Sequence, residues 1–490
     1  MEMFDSCLNV CGSNKTHLDK FKDECAVMGV IGHAEASKLC YLGLYSLQHR
    51  GQEGAGIVST DGAMTYSHRA MGLVADVFDG DVLNQLKGSL AIGHARYATF
   101  GAKNWQNLQP LMATFLDNSF AIAHNGNLIN ASEVRAELEK GGAIFSTSSD
   151  SEVVLHLVAR ATKEETISAK LRKALASVQG AYSLVVLTKN SLIGVRDPAG
   201  VRPLSLGKLN DAYVIASETC AFDLLGAEFV RDIEPGEILE ISQGGKLTST
   251  RCENEMQPSL CVFEHIYFAR PDSVIGGRSV YMVRKRLGME LSRETSVSAD
   301  FVIPVPDSGV PAALGYAEAS NLPFEFGLIR NHYIGRTFIE PKQSIRDFGV
   351  KIKLNANSEV LCGKRVVVVD DSIVRGTTCK KIVKILRDAG AKEVHFRISS
   401  PPTIRSCYYG IDTPSEHELI AANYSVNEIQ NYIGADSLAY LSLDGMYRAV
   451  SSKAGFCDAC FSGNYPLGKA TQNKMSCAAC CVSSTVKGGN

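Results

Sequence analysis

The sequence predicts a multidomain α/β protein, and three observations carry that reading. At roughly 150 residues per domain, a chain of 490 residues suggests about three units. The first half is dense in short β-type runs broken by glycine turns. From about Val262 onward, continuous apolar strands alternate with helical stretches, the mark of a parallel sheet covered on both faces.

In chain order, β-runs are read at Val27–Gly32, Gly56–Ser59, Leu90–Gly93, Phe120–His124, Ala181–Leu187 and Tyr213–Ala216. Helical patterns fall at Ala131–Lys140 and Ser151–Ala161, the second opened by Ser149 and Asp150 as capping candidates. Near residues 250–262 the chain loses apolar content, and a boundary is drawn there. Beyond it, strand Phe301–Val305 leads into a small-residue helix, Ala312 to Ala319. Strand Arg365–Val369 leads into helix Cys379–Ala389, and strand Glu393–Ile398 follows. The divisions are a leader, 1–24, a first domain, 25–255, a second, 256–450, and a segment, 451–490, whose polar end reads as disordered.

With 45% hydrophobic and 21% charged residues, the chain can bury sizeable cores and is not of the disordered class. The formal charge of −2 leaves no basic excess for nucleic acid or an anionic membrane surface. No stretch approaches the roughly 18 to 20 apolar residues of a membrane helix. The first 24 residues, with Asp5, Lys15, Asp19 and Lys20 among them, lack the apolar run of a secretory signal. A reducing cytoplasm is therefore expected, where the fifteen cysteines are thiols, nucleophiles or metal ligands.

The most informative segment is Val366 to Thr378: a buried strand, the adjacent carboxylates Asp370 and Asp371, then a turn with Ser372, Gly376, Thr377 and Thr378 that opens a helix. Free N–H groups and the dipole at a helix start attract phosphate. A carboxylate pair at the carboxyl end of a strand lies where open α/β sheets bind ligands, and it can accept from sugar hydroxyls or hold Mg²⁺. The plain alternative is an acidic pair that only caps the helix.

This segment resembles the phosphoribosyl pyrophosphate (PRPP) signature of type I phosphoribosyltransferases. The resemblance implies that Asp370 and Asp371 meet the ribose hydroxyls, while Ser372 and Gly376 to Thr378 hold the 5′-phosphate. Val305-Pro306-Asp307-Ser308-Gly309 looks like the family's second loop, and Ser308 with the Asp pair is then the implied ligand set for one Mg²⁺ per subunit. The basic stretch from Arg330 to Lys353 resembles the mobile loop that closes over the polyanionic substrate and excludes water.

In the first domain, Cys25 opens the first β-run, and three motifs follow: Gln48-His49-Arg50-Gly51-Gln52-Glu53, Gly93-His94-Ala95-Arg96-Tyr97 and His124-Asn125-Gly126-Asn127. With Ser148-Ser149-Asp150-Ser151-Glu152 they resemble, in order, the glutaminase domain of class II amidotransferases, whose fold is an N-terminal-nucleophile αββα sandwich. In that family the chain is cut before the cysteine. Its α-amine, titrating near about 7.7 to 8.0, then takes the thiol proton. The resemblance assigns Arg96 to the glutamine α-carboxylate, Asp150 to its α-ammonium, and Asn125 with Gly126 to an oxyanion hole. Read without it, Arg96 and Asp150 are an ordinary ion pair and Asn125-Gly126 is a type I′ turn. One departure is Ala26, where the family usually has glycine; its Cβ would strain a glycine-only backbone.

A glutaminase joined to a phosphoribosyltransferase specifies a reaction, in which ammonia released from glutamine displaces diphosphate from C1 of PRPP. From Cys25 to about Leu467 the chain is similar to the glutamine PRPP amidotransferase family, which catalyses the first committed step of purine synthesis. The resemblance implies a dry ammonia channel with the mobile loop as its wall and Tyr333 a contributor, a homotetramer, and feedback by purine nucleotides. Cys261, Cys407, Cys457 and Cys460 match the ligand sites of the family's iron–sulfur branch, implying one [4Fe–4S] cluster per subunit. Four thiolates also suit Zn²⁺, the second choice. Cys477, Cys480 and Cys481 fall outside the family pattern. The alternatives are another class II amidotransferase, which would lack the Asp370-Asp371 signature, and a non-catalytic PRPP-binding regulator, which could lose Cys25, Arg96 or Asp150.

Overall fold

Strands buried on both faces need two covering layers, and the first half of the chain supplies them. In the computed structural model, which describes residues 25–97, 105–115, 118–331 and 354–469, the strands in chain order are Ala26–Ile31 (β1), Gly54–Thr60 (β2), Thr65–Met71 (β3), Leu90–Arg96 (β4), Leu111–Phe115 (β5), Asn118–Leu128 (β6), Gly180–Leu187 (β7), Ser191–Arg196 (β8), Ser205–Leu209 (β9), Ala212–Ala216 (β10), Glu228–Asp232 (β11), Glu237–Ser242 (β12) and Leu247–Arg251 (β13). They form two antiparallel sheets, ordered β11-β9-β10-β1-β4-β2-β3 and β13-β12-β8-β7-β6-β5.

The sheets pack face to face. Val27, Ile31, Val58 and Ile92 of the first meet Ala121, Ala123, Val185 and Leu192 of the second. The outer face of the first sheet is covered by helices Ala36–Ser46 and Cys220–Leu225. Helices Ser151–Arg160 and Ile167–Leu175 cover the second. This is the helix–sheet–sheet–helix sandwich that the motif resemblance implies.

Pairing register carries the motifs to the same edge. β1 and β2 both pair with β4, so Ala26 lies opposite Ala95 and Gly54 opposite Arg96. Ala26 is an ordinary strand residue, and its side chain is fully buried in the core beside Met28. The glycine-only conformation is not needed there, and no strain arises. Asn125 and Gly126 lie inside β6, opposite Ser183 and Tyr182. That position rules out a type I′ turn. Asp150 occupies the helix start but does not cap it; its carboxylate instead accepts from the Leu128 N–H, 2.9 Å away.

The second half centres on a parallel sheet of Phe301–Pro304, Arg365–Asp370, Glu393–Ile398 and Ser437–Tyr440, adjacent in that order. Helices Val280–Thr295 and Val310–Ser320 pack on one face, and Thr377–Asp388 and Val426–Ile433 on the other. The two-residue strands Leu260–Cys261 and Phe456–Cys457 pair in parallel, which draws residues near 457 back against the start of this half. Among the described residues, no helix is long and apolar enough to cross a membrane. The leader, the stretch from His332 to Lys353 and the cysteines at 477, 480 and 481 lie outside the described residues.

A buried ionic network fastens the halves together. Arg50 pairs through Nε with Glu218 and through Nη2 with Glu264, 2.5 Å away, and Arg202 Nη2 reaches Glu264 at 3.0 Å. All four side chains are 0% exposed. Glu218 also accepts from His49 at 2.7 Å, from Ser273 Oγ at 2.6 Å and from the Arg270 N–H at 2.9 Å. Burial opposes ionisation of Glu218, but Arg50 and His49, with hydrogen bonds from His49 and Ser273, together outweigh it and hold the carboxyl far below the usual range. Removing one member strands its partners as uncompensated buried charges. Glu264→Ala should therefore lower the unfolding free energy by about 3 to 5 kcal/mol, read from urea denaturation against the parent chain.

Candidate active site

The first pocket gathers at the end of β1, where the chain enters the sheet. Cys25 is half-buried, and its Sγ lies 3.7 Å from the Tyr97 carbonyl just past Arg96. Its backbone sits in the left-handed region (φ 55°), which disfavours any residue with a Cβ. Across from β1, β6 presents Asn125. Both polar atoms of the Asn125 amide are buried and make no hydrogen bond to the described residues. Such a group costs stability unless a ligand completes it. Gly126 follows at φ 141°, and a Cβ there would overlap the Ala181 carbonyl oxygen. Only glycine fits that position.

Arg96 is buried at the end of β4. Asp150 stands beyond Asn125 with its side chain 14% exposed. Burial opposes its ionisation; the His124 ring beside it, with hydrogen bonds from Leu128 and Ser151, outweighs that cost and holds the carboxyl below its ordinary value. One thiol, one guanidinium, one carboxylate and a pair of potential oxyanion donors thus share one edge of the sandwich. Chemically, the set suits nucleophilic attack on an amide whose substrate carries both an α-carboxylate and an α-ammonium.

The second pocket lies at the carboxyl end of the parallel sheet. Asp370 is the last residue of strand Arg365–Asp370, and Asp371 and Ser372 follow it, all three buried. Ser308 Oγ donates to Asp371 Oδ2 at 2.5 Å and Ser372 Oγ to Oδ1 at 2.6 Å. The two loops singled out in the sequence therefore meet directly at Asp371. Gly376 takes φ 78° and opens the helix Thr377–Asp388, directing Thr377 and Thr378 into its first turn. Arg330, at the start of the basic stretch, pairs with Asp307 of the other loop; Arg336, Lys342, Arg346, Lys351, Lys353 and Tyr333 lie outside the described residues.

The four matched cysteines come together where this half meets the first, the Cys261 N–H bonding the Val201 carbonyl at 3.0 Å. Cys261 lies opposite Cys457 in the short parallel pair. Cys460 sits in the helical turn Ala459–Ser462 that follows, and Cys407 packs against the same core with its Sγ accepting from the Tyr409 N–H at 3.3 Å. Burial pushes the Cys261 thiol up to about 12, and those of Cys457 and Cys460 are also raised well above the ordinary value, first by burial and then by the neighbouring sulfurs. Left alone they are neutral thiols. The ionic network shares this neighbourhood, since Arg202 and Glu264 both bear on the Cys261 sulfur.

Some residues gain a role only in three dimensions. Arg202 and Glu264 carry no sequence signal beyond being charges within apolar stretches, and that isolation is the clue that could have marked them. Gln109 was equally silent, yet it joins His124 and Ser151 inside the first pocket.

Two domains, a glutamine-type amidohydrolase pocket and a phosphoribosyl-binding pocket, define a glutamine amidotransferase coupled to a phosphoribosyltransferase. The glutamine amidotransferase domain family matches residues 94–223, and the phosphoribosyl transferase domain family matches residues 278–420. The amidophosphoribosyltransferase of Bacillus subtilis (strain 168) is 51% identical over 450 residues, covering 91% of this chain and 94% of that one. Amidophosphoribosyltransferase 2 of Arabidopsis thaliana, a chloroplastic protein, is 52% identical over 472 residues, covering 95% and 83% respectively. A solved structure of the B. subtilis glutamine PRPP amidotransferase, complexed with ADP and GMP, superimposes with a TM-score of 0.87 at 50% identity over 92% of this chain and 98% of that one. The chain belongs to the amidophosphoribosyltransferase family.

The first pocket makes a direct prediction. Asn125→Ala should reduce kcat with glutamine by about 10² to 10³-fold, and Gly126→Ala should abolish glutamine turnover because its Cβ displaces the β6–β7 pairing. Steady-state glutamate release by each purified variant reads both.

Proposed function

We propose that the reaction of this family, PRPP with L-glutamine and water giving 5-phospho-β-D-ribosylamine, L-glutamate and diphosphate, is carried in this chain by the residues gathered in the two pockets. The observation that carries the assignment is the buried, unpartnered Asn125 amide on the strand facing Cys25. Cys25 attacks the side-chain amide carbon of glutamine, and the developing oxyanion takes hydrogen bonds from Asn125 Nδ2 and the Gly126 N–H. Arg96 holds the α-carboxylate and Asp150 the α-ammonium. Collapse of the tetrahedral intermediate expels ammonia, and water then hydrolyses the thioester to glutamate.

Cleavage of Glu24–Cys25 belongs to this reading. It gives Cys25 a free α-amine to accept the thiol proton, and it removes the φ torsion that otherwise holds a Cβ-bearing residue at 55°. The domain divisions 25–255 and 256–450 follow, with the ionic network as their seam. At the second pocket, Asp370 and Asp371 accept from the ribose hydroxyls, and Ser372, Gly376, Thr377 and Thr378 hold the 5′-phosphate. The nitrogen of ammonia forms its bond to C1 as the C1–oxygen bond to diphosphate breaks. Ser308, Asp370 and Asp371 are a hard oxygen set of the kind Mg²⁺ prefers; when bound, that ion supplies charge neutralisation on the departing diphosphate.

Cys261, Cys407, Cys457 and Cys460 fit a [4Fe–4S] cluster, in which each thiolate binds a different iron. Four thiolates also suit a single zinc ion, and the family resemblance is what favours iron. A structural role follows, since the cysteines link residues 457–460 to the start of the domain. Nucleotide feedback is proposed with the B. subtilis relative in mind, whose structure was solved with ADP and GMP, and a homotetramer on family resemblance. A reducing cytoplasm suits a thiol nucleophile and an iron–sulfur centre.

The decisive assay is PRPP-dependent glutamate release with equal diphosphate. Cys25→Ala should eliminate synthesis from glutamine and retain synthesis from ammonium, and active protein should begin at Cys25 by mass spectrometry; an intact leader in fully active enzyme would overturn the nucleophile assignment. Anaerobically purified protein should be brown, with iron and sulfide near about four each per chain. Stoichiometric zinc would reverse the choice of metal.

A further inference from the structure

We propose that Gln109, His124 and Ser151 form a buried hydrogen-bonded cradle that fixes the carboxylate of Asp150 and so sets how strongly the enzyme selects for the α-amino group of L-glutamine. This rests on Asp150 being the partner of that group. The three residues come from separate elements: the loop before β5, β6 itself, and the first turn of helix Ser151–Arg160. All three are buried, whereas Asp150 is partly open.

Their hydrogen atoms can be assigned one by one. Gln109 Oε1 accepts from the His124 N–H at 2.7 Å, which fixes the amide orientation and makes Nε2 the donor to Ser151 Oγ at 3.1 Å. Ser151 Oγ lies 2.9 Å from His124 Nδ1 and 3.2 Å from Asp150 Oδ1. A carboxylate only accepts, so the single hydroxyl hydrogen goes to Asp150. The hydroxyl's two acceptor positions are then filled by Gln109 Nε2–H and His124 Nδ1–H. His124 accordingly carries a hydrogen on Nδ1. Its Nε2 is buried with no hydrogen-bond partner among the described residues.

The chain of hydrogen bonds ends on Asp150 Oδ1. The Leu128 N–H occupies Oδ2 at 2.9 Å. Ser149 Oγ also approaches Oδ1, at 3.5 Å; of a carboxylate's roughly four acceptor positions, the one left lies on Oδ2, held in place by the cradle. His94 braces the arrangement from behind, with Nε2 3.1 Å from the His124 carbonyl; burial drives its pKa down to about 3, so it remains neutral. Gln109, His124 and Ser151 are positioning residues, which act through Asp150.

The test is steady-state kinetics of full-length Ser151→Ala, with L-glutamine and with 4-carbamoylbutyrate, which lacks the α-amino group. The preference in kcat/KM for L-glutamine should fall about tenfold, chiefly through KM, while ammonium-dependent synthesis stays at the parent rate. His124→Phe, which keeps a ring and removes the donor, should do the same if Ser151→Ala folds poorly. In an Asp150→Asn background, Ser151→Ala should add no further loss of preference. Unchanged preference in both single variants, or losses that add in full with Asp150→Asn, would overturn the cradle. If Asp150→Asn by itself leaves the preference intact, it is the assignment of Asp150 that fails, and the cradle falls with it.

Discussion

Two opposite pairs of charge, sealed from water, hold this molecule in register. Arg50 and Arg202 bring positive charge to the seam, Glu218 and Glu264 negative, and all four are fully buried. Such a network tolerates little displacement, because a shift that breaks one contact leaves a bare charge in a low-dielectric interior. Its members are placed so that both pockets feel it. Arg50 lies in the segment leading into β2, whose first residue pairs with Arg96, and the Glu53 N–H bonds the Arg96 carbonyl at 3.0 Å. Glu264 lies in the turn held by Arg284, which donates to the carbonyls of His265 and Ala269, and Arg284 feels the charge of Asp371.

The two pockets solve the same problem by different means. Each gathers polar groups in a buried place without unravelling the fold. In the first, the cost of the bare Asn125 amide is carried by a strand paired with β7 from Ala121 to Leu128. In the second, the crowding of Asp370 and Asp371 is relieved by hydroxyl donors from Ser308 and Ser372. Rigid strand ends position the chemistry in both cases, as expected when reacting groups must not relax into partners of their own.

Much of this was legible in the residues. Helix Ala131–Lys140 has the bounds its periodicity gives, and the strand runs agree within a few residues. The loop after Val369 stands out because a strand end, two carboxylates, a glycine and hydroxyls all fall within nine residues. Asp150 shows the limit of local reading: its place before a helix marks it as a cap, but the carboxylate turns to Leu128, which lies on another element. Ala26 shows the reverse case, a substitution that looks costly from a motif and is harmless in an extended strand.

The sequence by itself determined the class of fold, the two chemistries and their order along the chain, because hydrophobic period and local motifs depend on residues close together. The tertiary structure decided which charges pair across the seam, that Ser308 meets Asp371, that Cys261 lies opposite Cys457, and that Gln109 serves His124 and Ser151. Those contacts join residues from 15 to 214 positions apart. Their energies come from burial and geometry, which no local pattern encodes; they exist only once the sheets have closed and water has left.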